Sequence, residues 1–151
     1  MRKQPASETN PAEVVTVLSV SPMEDDDLAL QSIFNHSKWK LSKTHSLPSA
    51  LAFLQAHKTP VVLCERDLLP GTWRDLVEQS TGFAASPAVI VSSRLADDRL
   101  WAEALNLGAW DVLAKPFDKS EVFRAISTAW LHWKSRQEVP NRALKVMRAA
   151  G

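Results

Sequence analysis

Short apolar runs alternate along this chain with stretches whose apolar residues recur at helical spacing. Four of the runs are almost wholly apolar and often β-branched, which is typical of strands buried on both faces of a sheet. The run at 39–44 instead alternates apolar and polar residues, which indicates an edge strand. The predicted strands cover residues 14–20, 39–44, 61–64, 88–91 and 111–114.

A helical pattern follows each predicted strand, so the element order is β-α repeated five times. The last helix, which Asp118 is expected to cap, is the clearest of the five. Helical crossovers between buried strands require parallel neighbours and right-handed connections, so the pattern predicts an α/β fold with a doubly wound parallel sheet. Functional residues in such sheets lie beyond the carboxyl ends of the strands. The last helix carries its apolar stripe at Val122, Ile126, Ala129 and Trp133.

The first helix has a sequence typical of a capping box. Ser21 is expected to be the N-cap, Pro22 the first helical residue and Glu24 the acidic residue three positions after the cap. Residues 25–27, all aspartates, then fall in the first turns, where the helix dipole favours negative charge. We therefore expect this acidic group to lie on a solvated helix face, and to contribute to a metal site only if the helix begins later than the capping box implies.

Composition narrows the class of protein. The 151 residues are 45% hydrophobic and carry a formal net charge of +1, which argues against nucleic-acid binding as the main function. No apolar run approaches the roughly 20 residues of a membrane span, and the N-terminus lacks the apolar segment of a secretory signal. We expect a cytoplasmic protein with no membrane contact.

The ends of the chain and its cysteine and histidine residues indicate no further function. Residues 1–12 are interpreted as a flexible N-terminal tail and residues 137–151 as a C-terminal tail. This C-terminal tail has a break at Pro140–Asn141, followed by a short basic helix or a frayed end over residues 142–148. The single cysteine, Cys64, and the four scattered histidines have no zinc-ligand spacing. No metal site is predicted from them.

Polar side chains follow the buried strands at the edge where a site is expected. Glu65 directly follows the third strand, with Asp67 two residues on; Ser92 and Ser93 follow the fourth strand. Lys115 ends the fifth strand and is followed by Pro116 and Phe117. These residues, with Gly108–Ala109 before the fifth strand, resemble the receiver domain of two-component response regulators over residues 13–136.

The resemblance implies a flavodoxin-like (βα)5 sheet with strand order 2-1-3-4-5. It further implies an aspartate phospho-acceptor after strand three and an acidic pair after strand one that holds Mg²⁺. A hydroxyl and a lysine would contact the phosphoryl group, and an aromatic residue in strand five would act as a switch. Ser92 is the preferred hydroxyl position, with Ser93 fitting the spacing to Gly108 equally well. Lys115 matches the lysine, and Pro116 is the candidate cis-proline after it.

Three positions depart from the family's pattern. Glu65 stands at the acceptor position because the apolar run ends there, although the spacing to Pro70 leaves Asp67 as an alternative. Ser21 and Pro22 occupy the positions of the acidic pair. Val112 occupies the switch position.

The leading hypothesis is a pseudo-receiver, a single-domain atypical response regulator that is not an enzyme and has no cofactor. Lys115 would pair directly with Glu65 near Ser92. Its partners would be a histidine kinase or a downstream effector, together with a second copy on the face of the fourth helix, fifth strand and fifth helix, where Trp101 lies. The alternative is a phosphorylation-competent receiver that uses Asp67 or Glu65 with an unusual Mg²⁺ site. A flavin or nucleotide enzyme is a third hypothesis, and the lack of a glycine-rich phosphate loop in the sequence argues against it.

Overall fold

The computed structural model describes residues 15–150, with side chains described as far as Gln137. The tail predicted at residues 1–12 lies outside the described residues. The strands are β1 (Thr16–Val20), β2 (Lys40–Thr44), β3 (Val61–Glu65), β4 (Ala88–Ser93) and β5 (Asp111–Ala114). The helices are α1 (Glu24–Phe34), α2 (Leu47–Ala56), α3 (Trp73–Ser80), α4 (Asp98–Asn106) and α5 (Lys119–Ala150).

All strand pairs are parallel, and the strand order is β2-β1-β3-β4-β5. Both the doubly wound sheet and the 2-1-3-4-5 order are therefore confirmed, with β2 at an edge as its alternating pattern predicted. No helix in the described part of the chain is both long and apolar enough to cross a membrane.

Each face of the sheet packs against its own set of helices. Side chains alternate between faces along a strand, so Val62 and Cys64 enter one core with α2, α3 and α4, whereas Val61 and Leu63 enter the other with α1 and α5. The expected Asp118 cap of α5 is confirmed, because Asp118 Oδ2 accepts the Glu121 N–H at 3.0 Å. Side chains of Ser46, Thr72 and Asp97 likewise accept backbone N–H groups at the starts of α2, α3 and α4. The sheet is thus fixed from both sides, which holds the strand ends at one edge.

Two helix boundaries differ from prediction. The capping box at Ser21 was wrong: α1 begins at Glu24, its N-cap is Met23, and no side chain caps it. The Ser21 hydroxyl accepts the Met23 N–H at 3.1 Å and donates to Asp26 Oδ2 at 2.6 Å, so it is committed to a residue inside the helix. At the other end of the chain, α5 continues through the Pro140–Asn141 break to Ala150.

Candidate functional site

Glu65 lies in the crevice at the carboxyl edge of the sheet, and Asp67 does not. Glu65 is the last residue of β3 and is 3% exposed, and its Oε2 accepts the Asp67 N–H at 2.7 Å. The Asp67 side chain is 61% exposed and pairs with the neighbouring Arg66. Of the two acidic candidates, only Glu65 therefore faces the residues that follow the other strands.

Lys115 binds two buried carboxylates. Its ammonium group forms an ion pair with Glu65 Oε1 and donates to Asp26 Oδ2 at 2.6 Å, with Met23 Sδ at 3.7 Å. The side chains of Lys115, Asp26 and Glu65 are respectively 5%, 9% and 3% exposed. The predicted pair between Lys115 and Glu65 is confirmed, and the Lys115–Pro116 peptide bond is cis as predicted.

Asp26 is the residue that sequence reasoning missed. It was expected on a solvated face, but it is buried and its carboxylate accepts both the Ser21 hydroxyl and the Lys115 ammonium. A usable signal was present, because Asp26, Leu30 and Phe34 follow each other at intervals of four and are the buried residues of α1. Extending the apolar stripe backwards by one turn places Asp26 on the inward side of the helix.

The register of β3 with β4 separates the two serine candidates. Ser92 lies directly beside Glu65, so the two side chains share a face of the sheet. Ser93 is also buried but lies on the opposite face, and its hydroxyl accepts the Leu95 N–H at 3.0 Å. Ser92 is therefore the hydroxyl on the same side as the carboxylate of Glu65.

At the expected switch position, Val112 is buried in the core beneath α2, α3 and α4. The nearby Trp110 points to the other face, where it stacks on His132 at 4.4 Å between ring centroids and donates to Thr128 at 3.2 Å. Burial, with a smaller contribution from Arg136, lowers the pKa of His132. No aromatic side chain of strand five is therefore placed to swing into the crevice.

The crevice residues do not fit the Mg²⁺ that the resemblance implied. Ser21 and Pro22 bring no carboxylate after β1, and the three best-placed carboxylate oxygens already bind Lys115, Ser21 or the Asp67 N–H. Among the described residues no group of three His, Cys, Asp or Glu side chains could hold a metal ion. Mg²⁺ requires hard oxygen ligands in near-octahedral geometry, and here an ammonium group stands between the two carboxylates instead.

The Cys64 thiol lies next to Glu65 in β3. Cys64 is a free cysteine and is buried, and burial raises the pKa of its thiol well above the usual range, with the Glu65 charge adding to the effect. The thiolate is the reactive form of cysteine, so Cys64 acts as an apolar packing residue beneath the crevice.

This sheet order, with a carboxylate ending β3, a hydroxyl in β4 and a lysine followed by a cis-proline after β5, defines the fold of a response-regulator receiver domain. The sequence matches no protein-family model and no curated protein. Solved receiver structures do match it. One is the signal receiver domain of an HD domain-containing protein from Pseudomonas fluorescens Pf-5, at 24% identity and a TM-score of 0.75, covering 83% of this chain and 93% of that one.

Two further solved receiver structures are similar in fold to this chain. The signal receiver domain of a putative Luxo repressor protein from Vibrio parahaemolyticus has a TM-score of 0.76 at 15% identity, covering 83% of this chain and 97% of the other. The beryllofluoride-activated NtrC4 receiver domain dimer has a TM-score of 0.72 at 19% identity, covering 78% and 98%. At these identities the likeness establishes the fold, and the crevice residues must be interpreted from their own geometry.

Proposed function

We propose that residues 13–136 form a receiver domain of two-component signalling that acts through protein contacts without phosphoryl transfer. The observation that carries the proposal is the Lys115 ammonium, which is held by the buried carboxylates of Glu65 and Asp26. In receivers that this chain resembles, the matching lysine contacts the phosphoryl group. Here an internal anion already fills that role.

The geometry of Glu65, at the acceptor position, is also unfavourable for phosphoryl transfer. A carboxylate must offer a free oxygen to attack a phosphorus atom, but Glu65 Oε1 pairs with Lys115 and Oε2 accepts the Asp67 N–H. The extra methylene of glutamate, compared with aspartate, brings its carboxylate to the ammonium group. We therefore propose a signalling module rather than an enzyme, with no cofactor.

Contacts with other proteins would carry the signal. A histidine kinase or a downstream effector is the proposed partner, in a cytoplasmic location. A second copy would bind on the face of α4, β5 and α5, where Trp101 is 36% exposed and Leu105 and Leu107 are about half exposed. The NtrC4 receiver is described as a dimer, and large exposed apolar side chains are typical of protein interfaces. Sedimentation of the wild type and of Trp101→Ala tests this face, because a dimer that is unaffected by the substitution would exclude it.

Intact-mass measurement after incubation with acetyl phosphate and Mg²⁺ tests the central proposal. We expect the mass to remain that of the unmodified chain. A stoichiometric phosphate adduct would refute the proposal and support the phosphorylation-competent alternative. Glu65→Gln and Asp67→Asn variants would then identify the acceptor, since only the variant lacking it loses the adduct.

A further inference from the structure

A second cavity lies at the opposite edge of the sheet from the crevice. It is bounded by the loop between α2 and β3, the loop between α3 and β4, and α5 at Gln137, and its volume is about 510 Å³. This volume falls within the roughly 300–1,000 Å³ of small-molecule sites, and the site is an open groove, because five of its lining residues are exposed to solvent: Gln55, Ala56, His57, Lys58 and Ala84. None of the crevice residues lines this distal cavity, so the proposed function gives it no role.

More than half of the residues that line the distal cavity are apolar, and three of them are alanines. Two of these alanines, Ala84 and Ala85, lie in the α3–β4 loop directly after Phe83. Apolar walls of this kind favour a ligand with a hydrophobic body. The apolar lining residues are Leu54, Ala56, Phe83, Ala84 and Ala85.

The charged and titratable groups of the distal cavity are basic. Lys58 and His57 line it, whereas none of its described lining residues is an aspartate or glutamate. The Lys58 ammonium lies 5.5 Å from the centroid of the Trp133 ring, a cation–π contact that holds it at the cavity wall. A cation at an apolar wall, with no carboxylate among the described lining residues, favours an anionic group on the ligand.

We propose that the distal cavity binds a small molecule with an apolar aromatic or aliphatic body and one anionic group, a carboxylate or sulfonate. The apolar body would lie against the alanines and Phe83, and the anionic group would contact Lys58. This inference goes beyond the proposed function and does not rest on it, because it involves no crevice residue.

Two probes of nearly the same shape test the proposal on the full chain. 8-Anilino-1-naphthalenesulfonate carries the apolar body and an anionic group, and N-phenyl-1-naphthylamine carries the same body without the charge. We expect saturable one-to-one binding of the sulfonate by fluorescence titration, about fivefold tighter than the neutral probe, as one solvent-accessible charge contact allows. Lys58→Gln should abolish the difference, whereas Lys38→Gln, at an exposed lysine outside the cavity, should leave it unchanged.

A filling variant locates the site. Ala85→Phe should weaken both probes more than tenfold, and Ala52→Phe, on the exposed side of α2, should not. Near-UV circular dichroism of each variant checks that it is folded, and Ala84→Phe replaces Ala85→Phe if the latter is not. Non-saturable binding, equal affinities for the two probes, or equal effects of the filling and control variants would each overturn the proposal.

Discussion

Replacing Lys115 with methionine is the sharpest test of the crevice. Methionine keeps most of the length and apolar surface of lysine but removes the ammonium group that Asp26 and Glu65 share. All three side chains are at least nine-tenths buried. Removing one partner of a buried ion pair costs about 3–5 kcal/mol, because the remaining charge is uncompensated.

Urea unfolding followed by circular dichroism measures this loss. With an m value of about 2 kcal/mol/M, a loss of that size lowers the unfolding midpoint by about 2 M. Lys38→Met, at an exposed lysine, is the matched control and should change the free energy of unfolding by less than about 0.5 kcal/mol. A loss of less than about 1 kcal/mol for Lys115→Met would refute the inference that the ammonium group compensates both carboxylates.

The relative losses of stability in Lys115→Met and Glu65→Gln give a second test of the crevice ion pairs. Glu65→Gln leaves Lys115 paired with Asp26 and removes one of two negative charges, so it should cost less, about 1–2 kcal/mol. If Glu65 were the only partner of Lys115, the two substitutions would cost similar amounts. A double-mutant cycle of Lys115→Met with Glu65→Gln should give a coupling energy of about 0.5–3 kcal/mol, and purely additive losses would contradict the pairing.

Three further predictions concern neighbouring groups. Ser21→Ala removes a hydroxyl donor from the buried carboxylate of Asp26, and urea unfolding should show a loss of about 1.5–3 kcal/mol; a loss below about 0.5 kcal/mol would contradict it. Cys64 should resist alkylation in the folded protein and react fully in denaturant, because burial raises the pKa of its thiol; rapid native-state labelling by iodoacetamide would be the opposing result. In an NMR titration, the pKa of His132 should fall below the usual value of about 6.5, and Arg136→Gln should raise it. As the pH falls, the unfolded chain then binds a proton at His132 before the folded protein does. The contribution of His132 to the free energy of unfolding is therefore complete above about pH 6.5 and declines as the pH falls below it. A measured pKa of His132 at or above about 6.5 would contradict this.

The fold could be predicted from the sequence because its determinants are repeated and redundant. Runs such as 61–64 and 88–91 are too apolar to lie anywhere but between two layers of helices, and the crossovers then fix parallel pairing. Caps at Ser46, Thr72 and Asp97 agree with the apolar pattern of the helices that they begin. When several signals agree, the loss of any one of them does not change the topology.

The crevice could be predicted only in part, because it depends on single side chains with competing partners. Ser21 has the sequence of an N-cap, but its hydroxyl oxygen accepts the Met23 N–H, which precedes the helix, and its O–H donates to Asp26 Oδ2. A hydrogen bond to a buried charge is stronger than one between neutral groups, so the bond to Asp26 helps to hold the Ser21 hydroxyl in this position. The same contact turns Asp26 inward, which is why the sequence predicted only one of the two carboxylates that bind Lys115.

The unusual residues of the crevice are best understood as one arrangement. Serine at position 21 cannot ligate a metal as a carboxylate would, but its hydroxyl fixes Asp26 beside Lys115. Glutamate at position 65 reaches the same ammonium group from β3 and has its second oxygen bound by a backbone N–H. Each buried charge then has a partner of opposite sign or a hydrogen-bond donor, which is the condition for burying charges without a large penalty. Replacing Glu65 with aspartate alone would shorten that side chain and weaken its ion pair with Lys115, and it would add no carboxylate after β1. Under the proposed function, phosphoryl transfer would therefore require changes at both strand ends.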